Sequence, residues 1–228
     1  MTSLTRPWRR SNGARRKADY AMTRLALAAA LLAVASLAGA YPTSLNIIPS
    51  ADVLEQGQGR LELEWNVDPS ASAGSTLGAY LQAGLTNRLE VGLDVLDLTR
   101  QADWQLNLKW LVCPEGASAP AIAVGLMDAG EGLLDNAYLM LSRQMGQFRA
   151  HGGLSRTAGT QGLFGLEYYW DEQTGVVTDW TTGPEGYATL GLWRDFGGGV
   201  QAVAYYARGN TRDLGDFIGV DVYTEFGW

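Results

Sequence analysis

The sequence predicts an all-β chain: a closed antiparallel transmembrane β-barrel of about 12 strands, with 10 as the alternative. Three observations lead there. Apolar and polar residues alternate in short runs separated by turn-forming clusters, which is the two-sided period of strands. No helical period persists after the first 40 residues. Beyond those residues the chain has a single lysine, Lys109, whereas a sheet with one face in water uses lysines on that face and along its edges.

Composition narrows the field further. With 228 residues, 46% of them hydrophobic, the chain is long enough for one domain of moderate size. Seven bases (Arg6, Arg9, Arg10, Arg15, Arg16, Lys17 and Arg24) lie before residue 25 with one acid, Asp19. The rest carries 10 bases against 23 acids, a net charge of −13. So acidic a body repels nucleic acid, and no nucleic-acid partner is expected. One cysteine, Cys113, and one histidine, His151, exclude an intrachain disulfide and a zinc site of the His/Cys type. No cofactor or metal is predicted, and Cys113 beside Pro114 reads as an incidental thiol.

Residues 1–40 read as an N-terminal extension and signal peptide. Arg24 precedes an apolar run from Leu25 to Val34, and Ala38-Gly39-Ala40 fits the small-residue cleavage pattern before Tyr41. The run is shorter than the roughly 20 residues of a membrane-spanning helix. Translation from Met22 would give the same signal without its long basic lead. Residues 41–58, with two prolines and no period, read as an ordered lead-in or short plug. Residues 59–228 form the barrel domain.

Within that domain the elements follow in order. Leu61, Leu63, Trp65 and Val67 alternate with Arg60, Glu62, Glu64 and Asn66. A polar loop, Asp68–Gly74, leads to Leu77, Ala79, Leu81, Ala83 and Leu85. Thr86-Asn87-Arg88 turns into Leu89, Val91, Leu93 and Val95. Beyond Leu96–Ala102, Trp104, Leu106, Leu108, Trp110 and Val112 give the clearest alternation. After the turn at 113–120 come Ile122, Val124 and Leu126. A loop rich in glycine and acid, Asp128–Asp135, precedes Ala137, Leu139 and Leu141. Phe148, Ala150, Gly152 and Leu154 follow the Gln144–Gln147 turn. Past the Arg156–Gly162 loop, Phe164, Leu166, Tyr168 and Trp170 make the eighth strand. Val176–Thr182 is a weak strand. In Tyr187–Arg194 the faces are ambiguous, with Ala188, Leu190 and Leu192 opposing Tyr187, Thr189 and Trp193. Val200–Tyr206 and Phe217–Trp228 complete the set. The last stretch sets Ile218, Val220, Val222, Phe226 and Trp228 against Asp221, Tyr223 and Glu225.

The signal peptide, the alternating strands and the aromatic-ended last strand together resemble bacterial outer-membrane β-barrel proteins of the porin-like type. The resemblance covers residues 59–228 and is one of class. It implies residence in the outer membrane of a diderm bacterium after passage through the inner membrane. It also implies contact with membrane lipids, and with the barrel-assembly machinery through the last strand. On this layout Trp110, Trp170, Trp193 and Trp228 fall near one rim, and Trp65, Trp104, Trp180 and Tyr206 near the other, as two interface girdles. A porin-like or structural barrel without catalysis is expected. A non-conducting barrel for surface-polysaccharide export or envelope assembly is the alternative, and a lipid-modifying enzyme ranks third.

The lumen-facing set is predicted to be Glu62, Glu64, Glu90, Asp94, Asp103, Glu167, Asp221 and Glu225, with Arg60, Lys109, Arg149 and His151 against them. An open lumen of that charge would favour cations. Where the first and last strands close, Glu62 and Glu64 approach Asp221 and Glu225. Like charges placed opposite each other are unfavourable, so an Arg60 bridge, a cation or raised carboxyl pKa values are expected there. His151, Ser155 and Glu167 could form a hydrolytic set, but they face the lumen without a flanking motif, so a histidine satisfied inside the barrel is expected.

Overall fold

The computed structural model describes residues 44–68, 75–99, 104–127, 136–156 and 159–228. The expected signal peptide and extension, Asp103 and parts of four loops lie outside the described residues. Twelve strands form one closed barrel: β1 Gln58–Val67, β2 Ser75–Thr86, β3 Leu89–Val95, β4 Trp104–Cys113, β5 Ala121–Leu126, β6 Ala137–Met145, β7 Phe148–Arg156, β8 Thr160–Asp171, β9 Thr174–Thr181, β10 Tyr187–Gly197, β11 Val200–Gly209 and β12 Asp216–Gly227. Each strand pairs antiparallel with its neighbour in sequence, and β12 returns to β1. Closure leaves no unpaired edge.

Several strands run further than the alternation alone suggests. β8 starts at Thr160, because the ladder with β7 continues through Leu154↔Gly162 to Arg156↔Thr160. β10 reaches Gly197 through an irregularity between Asp195 and Gly197. The connections at the rim where β1 begins and β12 ends are short turns, except for residues 114–120. Those at the opposite rim are mostly longer.

The outward face is apolar and uncovered. Trp65, Leu81, Trp104, Leu106, Trp110, Leu154, Leu166, Leu190, Leu192, Ile218 and Val222 are all exposed. Trp110, Trp170, Phe148 and Trp228 lie outward toward the short-turn rim. Trp65, Trp104, Phe164 and Trp180 lie outward toward the other, where Phe164 stacks on Trp180 at 5.8 Å. Trp193 corrects the expected girdle. Its parity on β10 is that of Tyr187, Thr189 and Gly191, so it points inward and packs against the lumen core. It meets Tyr169 edge-on at 5.7 Å. Leu190 and Leu192 take the outward positions instead, which settles the ambiguous faces of this strand.

The seam between β1 and β12 pairs Arg60 with Glu225, Glu62 with Tyr223 and Glu64 with Asp221. Of the expected outcomes the Arg60 bridge is present. The fully buried guanidinium donates to Glu225 Oε1 at 2.5 Å and lies 4.5 Å over the Tyr223 ring. The Glu64–Asp221 opposition is relieved by two phenols that donate to Glu64: Tyr80, and Tyr205 at 2.8 Å. Both rings lie over glycines. A Cβ on Gly78 would come within 2.7 Å of the Tyr80 hydroxyl, and one on Gly219 within 2.2 Å of the Tyr205 ring.

Removing one partner of a buried pair strands the other charge, at a cost of about 3–5 kcal/mol. Glu225→Ala is therefore expected to lower the denaturation midpoint of the micelle-held barrel well below that of Glu62→Gln. Equal midpoints would show that the seam pair carries no such weight.

Candidate functional site: the occupied lumen

The interior of the barrel is occupied by the chain's own lead-in. Residues 44–57 cross it from the β9–β10 wall to the foot of β3, with Leu45, Ile48, Ser50, Ala51 and Leu54 all buried. A short bridge between Ser44 and Pro49 and a hydrogen bond from Leu45 N–H to the Ile48 carbonyl fold its start into a turn. Leu45, Ile48 and Ala51 sit on an apolar patch made by Ala121 and Ala123 of β5, Tyr138 and Met140 of β6, Leu163 of β8 and Val177 of β9. Burying Leu45, Ile48 and Leu54 contributes about 1.5–3 kcal/mol each relative to exposure.

A segment that crosses a lumen joins no ladder, so its backbone groups must find partners on the wall. Asp179 Oδ2 accepts from Ile47 N–H at 2.9 Å and from Ile48 N–H at 3.4 Å. Ser142 Oγ accepts from Ala51 N–H at 2.9 Å, Glu90 Oε2 from Leu54 N–H at 2.8 Å and Asn87 Oδ1 from Gln56 N–H at 3.0 Å. Asn46 donates to Thr189 Oγ1 at 2.7 Å, and Thr189 in turn bonds the Asp179 carboxylate. Charges complete the seat. Arg149 holds Asp52 at 2.5 Å and reaches Glu115 of the 114–120 turn at 2.9 Å. Lys109 lies 3.7 Å from Glu90 and donates to the Asp52 carbonyl at 3.0 Å. At the exit the fit is backbone on backbone. A Cβ on Gly84 would fall 2.1 Å from the Glu55 carbonyl oxygen and 2.5 Å from that of Leu54. Trp228 N–H donates to the Gly57 carbonyl at 2.9 Å, tying the last residue to the end of the lead-in.

The histidine is satisfied inside the barrel, but its hydroxyl partner is Ser142 across the β6–β7 pair. Ser155 of its own strand, the residue considered from sequence, is not its partner. Ser142 Oγ lies 2.8 Å from His151 Nδ1, and His151 Nε2 lies 2.9 Å from Glu167 Oε1. Tyr169 donates to the other Glu167 oxygen at 2.9 Å. With Nε2–H donating to the carboxylate, Nδ1 is left to accept the serine proton, and the serine oxygen is then turned to receive Ala51 N–H. The Ser–His–Glu row therefore orients an acceptor for the lead-in, and all three side chains are buried beneath it.

The other expected lumen charges fall as follows. Asp94 accepts from Asn107, and its Oδ1 is buried without a hydrogen-bond partner among the described residues. Asp221 is buried at 4% exposure. Glu62 and Glu64 face a cavity of about 320 Å³ that remains between the lead-in and the walls of β1–β4. Sequence reasoning missed Asp179, Thr189, Ser142 and Asp52. Asp179 lies on the strand whose alternation was weakest, and Asp52 on a stretch with no period at all. Among the described residues no group of three or more His, Cys, Asp or Glu side chains is arranged to hold a metal.

Closed, even-stranded and antiparallel, apolar outside and occupied within, the molecule has the architecture of the outer-membrane type of β-barrel. By sequence the chain belongs to the YjbH family, described as exopolysaccharide biosynthesis protein YbjH, whose profile matches residues 48–174, more than half of its length. That span begins within the lead-in and runs into β9. No curated protein matches the chain. Among solved structures it is similar to the N-terminal β-barrel domain of Pseudomonas aeruginosa OprF, at 13% identity over 76% of this chain and 100% of that one. The TM-score is 0.26.

Two outcomes test the seat. Asp179→Ala leaves the buried Ile48 N–H and the half-buried Ile47 N–H without this acceptor, at about 1–3 kcal/mol. The amides of residues 44–54 should then exchange hydrogen faster while strand amides keep their protection. Unchanged exchange would mean that Asp179 does not hold the segment. Glu115 gives a pH dependence. Partial desolvation raises its carboxyl, but the Gln144 N–H together with Arg149 and Arg143 outweighs this and holds it below the usual carboxylate range. A depressed folded pKa stabilises above the unfolded value of about 4.3, and that contribution is lost as pH falls through the lower folded value. The melting temperature of wild type should thus exceed that of Glu115→Gln at neutral pH, with the gap closing in acid.

Proposed function

We propose that the chain is a non-catalytic outer-membrane β-barrel serving the export or assembly of an exopolysaccharide, with its lumen occupied by residues 44–57. The observation that carries the reading is the seat itself: six wall side chains (Asp179, Thr189, Ser142, Glu90, Lys109 and Arg149) are committed to one internal segment. A porin needs that volume for solute. The family description supplies the polymer class. The apolar outer wall with aromatics toward both rims supports lipid contact. The short-turn rim has the form of a periplasmic side.

A passive, cation-favouring channel is the second reading, supported by the carboxylates that line the remaining cavity. Hydrolysis has less support, since the Ser142 hydroxyl bonded to His151 is covered by Ala51.

Refolded protein in a planar bilayer should show little steady conductance. A variant lacking residues 44–55 should conduct, with cations preferred. A large steady conductance from the intact chain would favour the porin reading over the occupied barrel. A strain without the gene should lose extracellular polysaccharide, and normal polymer in that strain would overturn the proposed role.

A further inference from the structure

The register of β1–β4 builds a polar wall beside the lead-in. Glu62 faces Tyr80, Tyr80 faces Asp94 and Asp94 faces Gln105, one inward residue per strand at one level. At the next level Arg60, Gln82, Gly92 and Asn107 follow one another in the same way. Gly92 leaves its place in that row without a side chain. A Cβ there would sit 3.3 Å from Asn107 Cβ and 3.6 Å from Gln82 Cγ, so a side chain at this position would crowd its neighbours along the cavity wall. The result is the cavity of about 320 Å³, closed on one side by Ile47, Ile48 and Pro49. Asp94 and Gln105 each lie one residue from a strand end at the rim of the longer connections, and Glu90 and Lys109 carry the lining on toward the other rim.

We infer that this cavity is a binding site for a neutral saccharide, one or two sugar rings of an uncharged glycan. The inference rests on the exopolysaccharide reading for its ligand class and on the wall for its chemistry. The volume lies at the lower end of the ~300–1,000 Å³ typical of small-molecule pockets. Gln105 presents a donor and an acceptor side by side, which matches adjacent sugar hydroxyls, while Asn107 donates to Asp94 and holds that carboxyl in the wall. The Glu62 and Asp94 carboxyl oxygens add acceptors for sugar hydroxyls, and Asp94 Oδ1 is a buried acceptor still lacking a donor among the described residues. The Tyr80 and Tyr138 rings on the same lining offer apolar faces for sugar C–H groups. The sign of the charge sets the specificity. The lining cation, Lys109, is held by Glu90 and the Asp52 carbonyl, so the carboxylates repel uronic acids and other acidic sugars.

The test uses the full chain refolded in an amine-oxide detergent, which carries no sugar headgroup. It is titrated calorimetrically with maltotriose, cellotriose, triacetylchitotriose and trigalacturonate. At least one neutral trisaccharide should bind, and trigalacturonate should not. Replacing Gln105 by leucine should weaken binding about tenfold, the size expected from losing its two hydrogen bonds. Gly92→Val, which fills the cavity, should abolish it. Leu190→Ala, on the outer face of β10, should leave it unchanged. Heat-modifiable mobility in electrophoresis confirms that each variant is a folded barrel. The inference is overturned if no neutral trisaccharide binds the wild type. It is also overturned if trigalacturonate binds equally well, or if folded Gly92→Val binds as the wild type does. Failure here with polymer lost in the deletion strain would sink the site and keep the export role. Saccharide binding with normal polymer in that strain would do the reverse.

Discussion

Everything inside this barrel follows from one requirement: a peptide segment that crosses a lumen brings N–H groups with no ladder to join. Left unpaired away from water, each costs about as much as a lost hydrogen bond, so the wall must supply acceptors at the right heights. Asp179, Ser142, Glu90 and Asn87 do so along the path of residues 47–56. Carboxylates suit the task because each has two oxygens and accepts several bonds; Asp179 takes two backbone amides and the Thr189 hydroxyl. The acidity of the sequence is thereby partly explained. Of the acids that face inward, Glu90, Glu167, Asp179 and Glu225 are occupied with amides, His151 or Arg60. They are not free to set the charge of an aqueous pore.

The lumen is two-sided. From β5 to β9 the inward positions include Ala121, Ala123, Met140, Leu163 and Val177, and on these the lead-in lies. From β1 to β4 the inward positions are nearly all polar, and there the space remains. Small residues at 121 and 123 let the segment approach one wall closely, and its displacement toward that wall leaves the other uncovered. The plug and the cavity are therefore consequences of the same asymmetry in side-chain size and polarity around the barrel.

Much of the fold was legible from parity alone. Strand number, strand order and the outward aromatics Trp65, Trp104, Trp110, Trp170, Trp180 and Trp228 all follow from alternation, because closing a barrel sends every second side chain to the same face. The seam was legible too. Once β1 and β12 must meet, Arg60 is the cation at hand for the acids on both strands, and it lies opposite Glu225. The site was less so. Residues 44–57 are irregular, and their contacts lie more than 90 positions away at Ser142, Asp179 and Thr189. Sequence spacing carries no trace of a pairing at that range. Ser142 could be placed on the inward face by parity, but its choice over Ser155 as the partner of His151 depends on how β6 and β7 stagger across their turn.

Trp193 shows where the reasoning about faces inverts. For a barrel in lipid, a tryptophan is assigned outward by habit, and its neighbours Leu190 and Leu192 competed for that face. Strict alternation allows only one of the two sets outside. The leucines prevail because β10 pairs Leu190 with Tyr206 and Leu192 with Ala204, continuing the outward row of β11. Trp193 must then go inside, and an indole in an aqueous lumen would gain nothing there. It is stable because Tyr169 and the lead-in's apolar patch receive it. The same logic applies to Met140, Leu163 and Val177. In a water-filled barrel an inward apolar residue has nothing to bury against, so a run of them on adjacent strands is the imprint of something that fills the lumen. The lead-in is hard to recognise from its own sequence, but its outline is written on the wall that receives it.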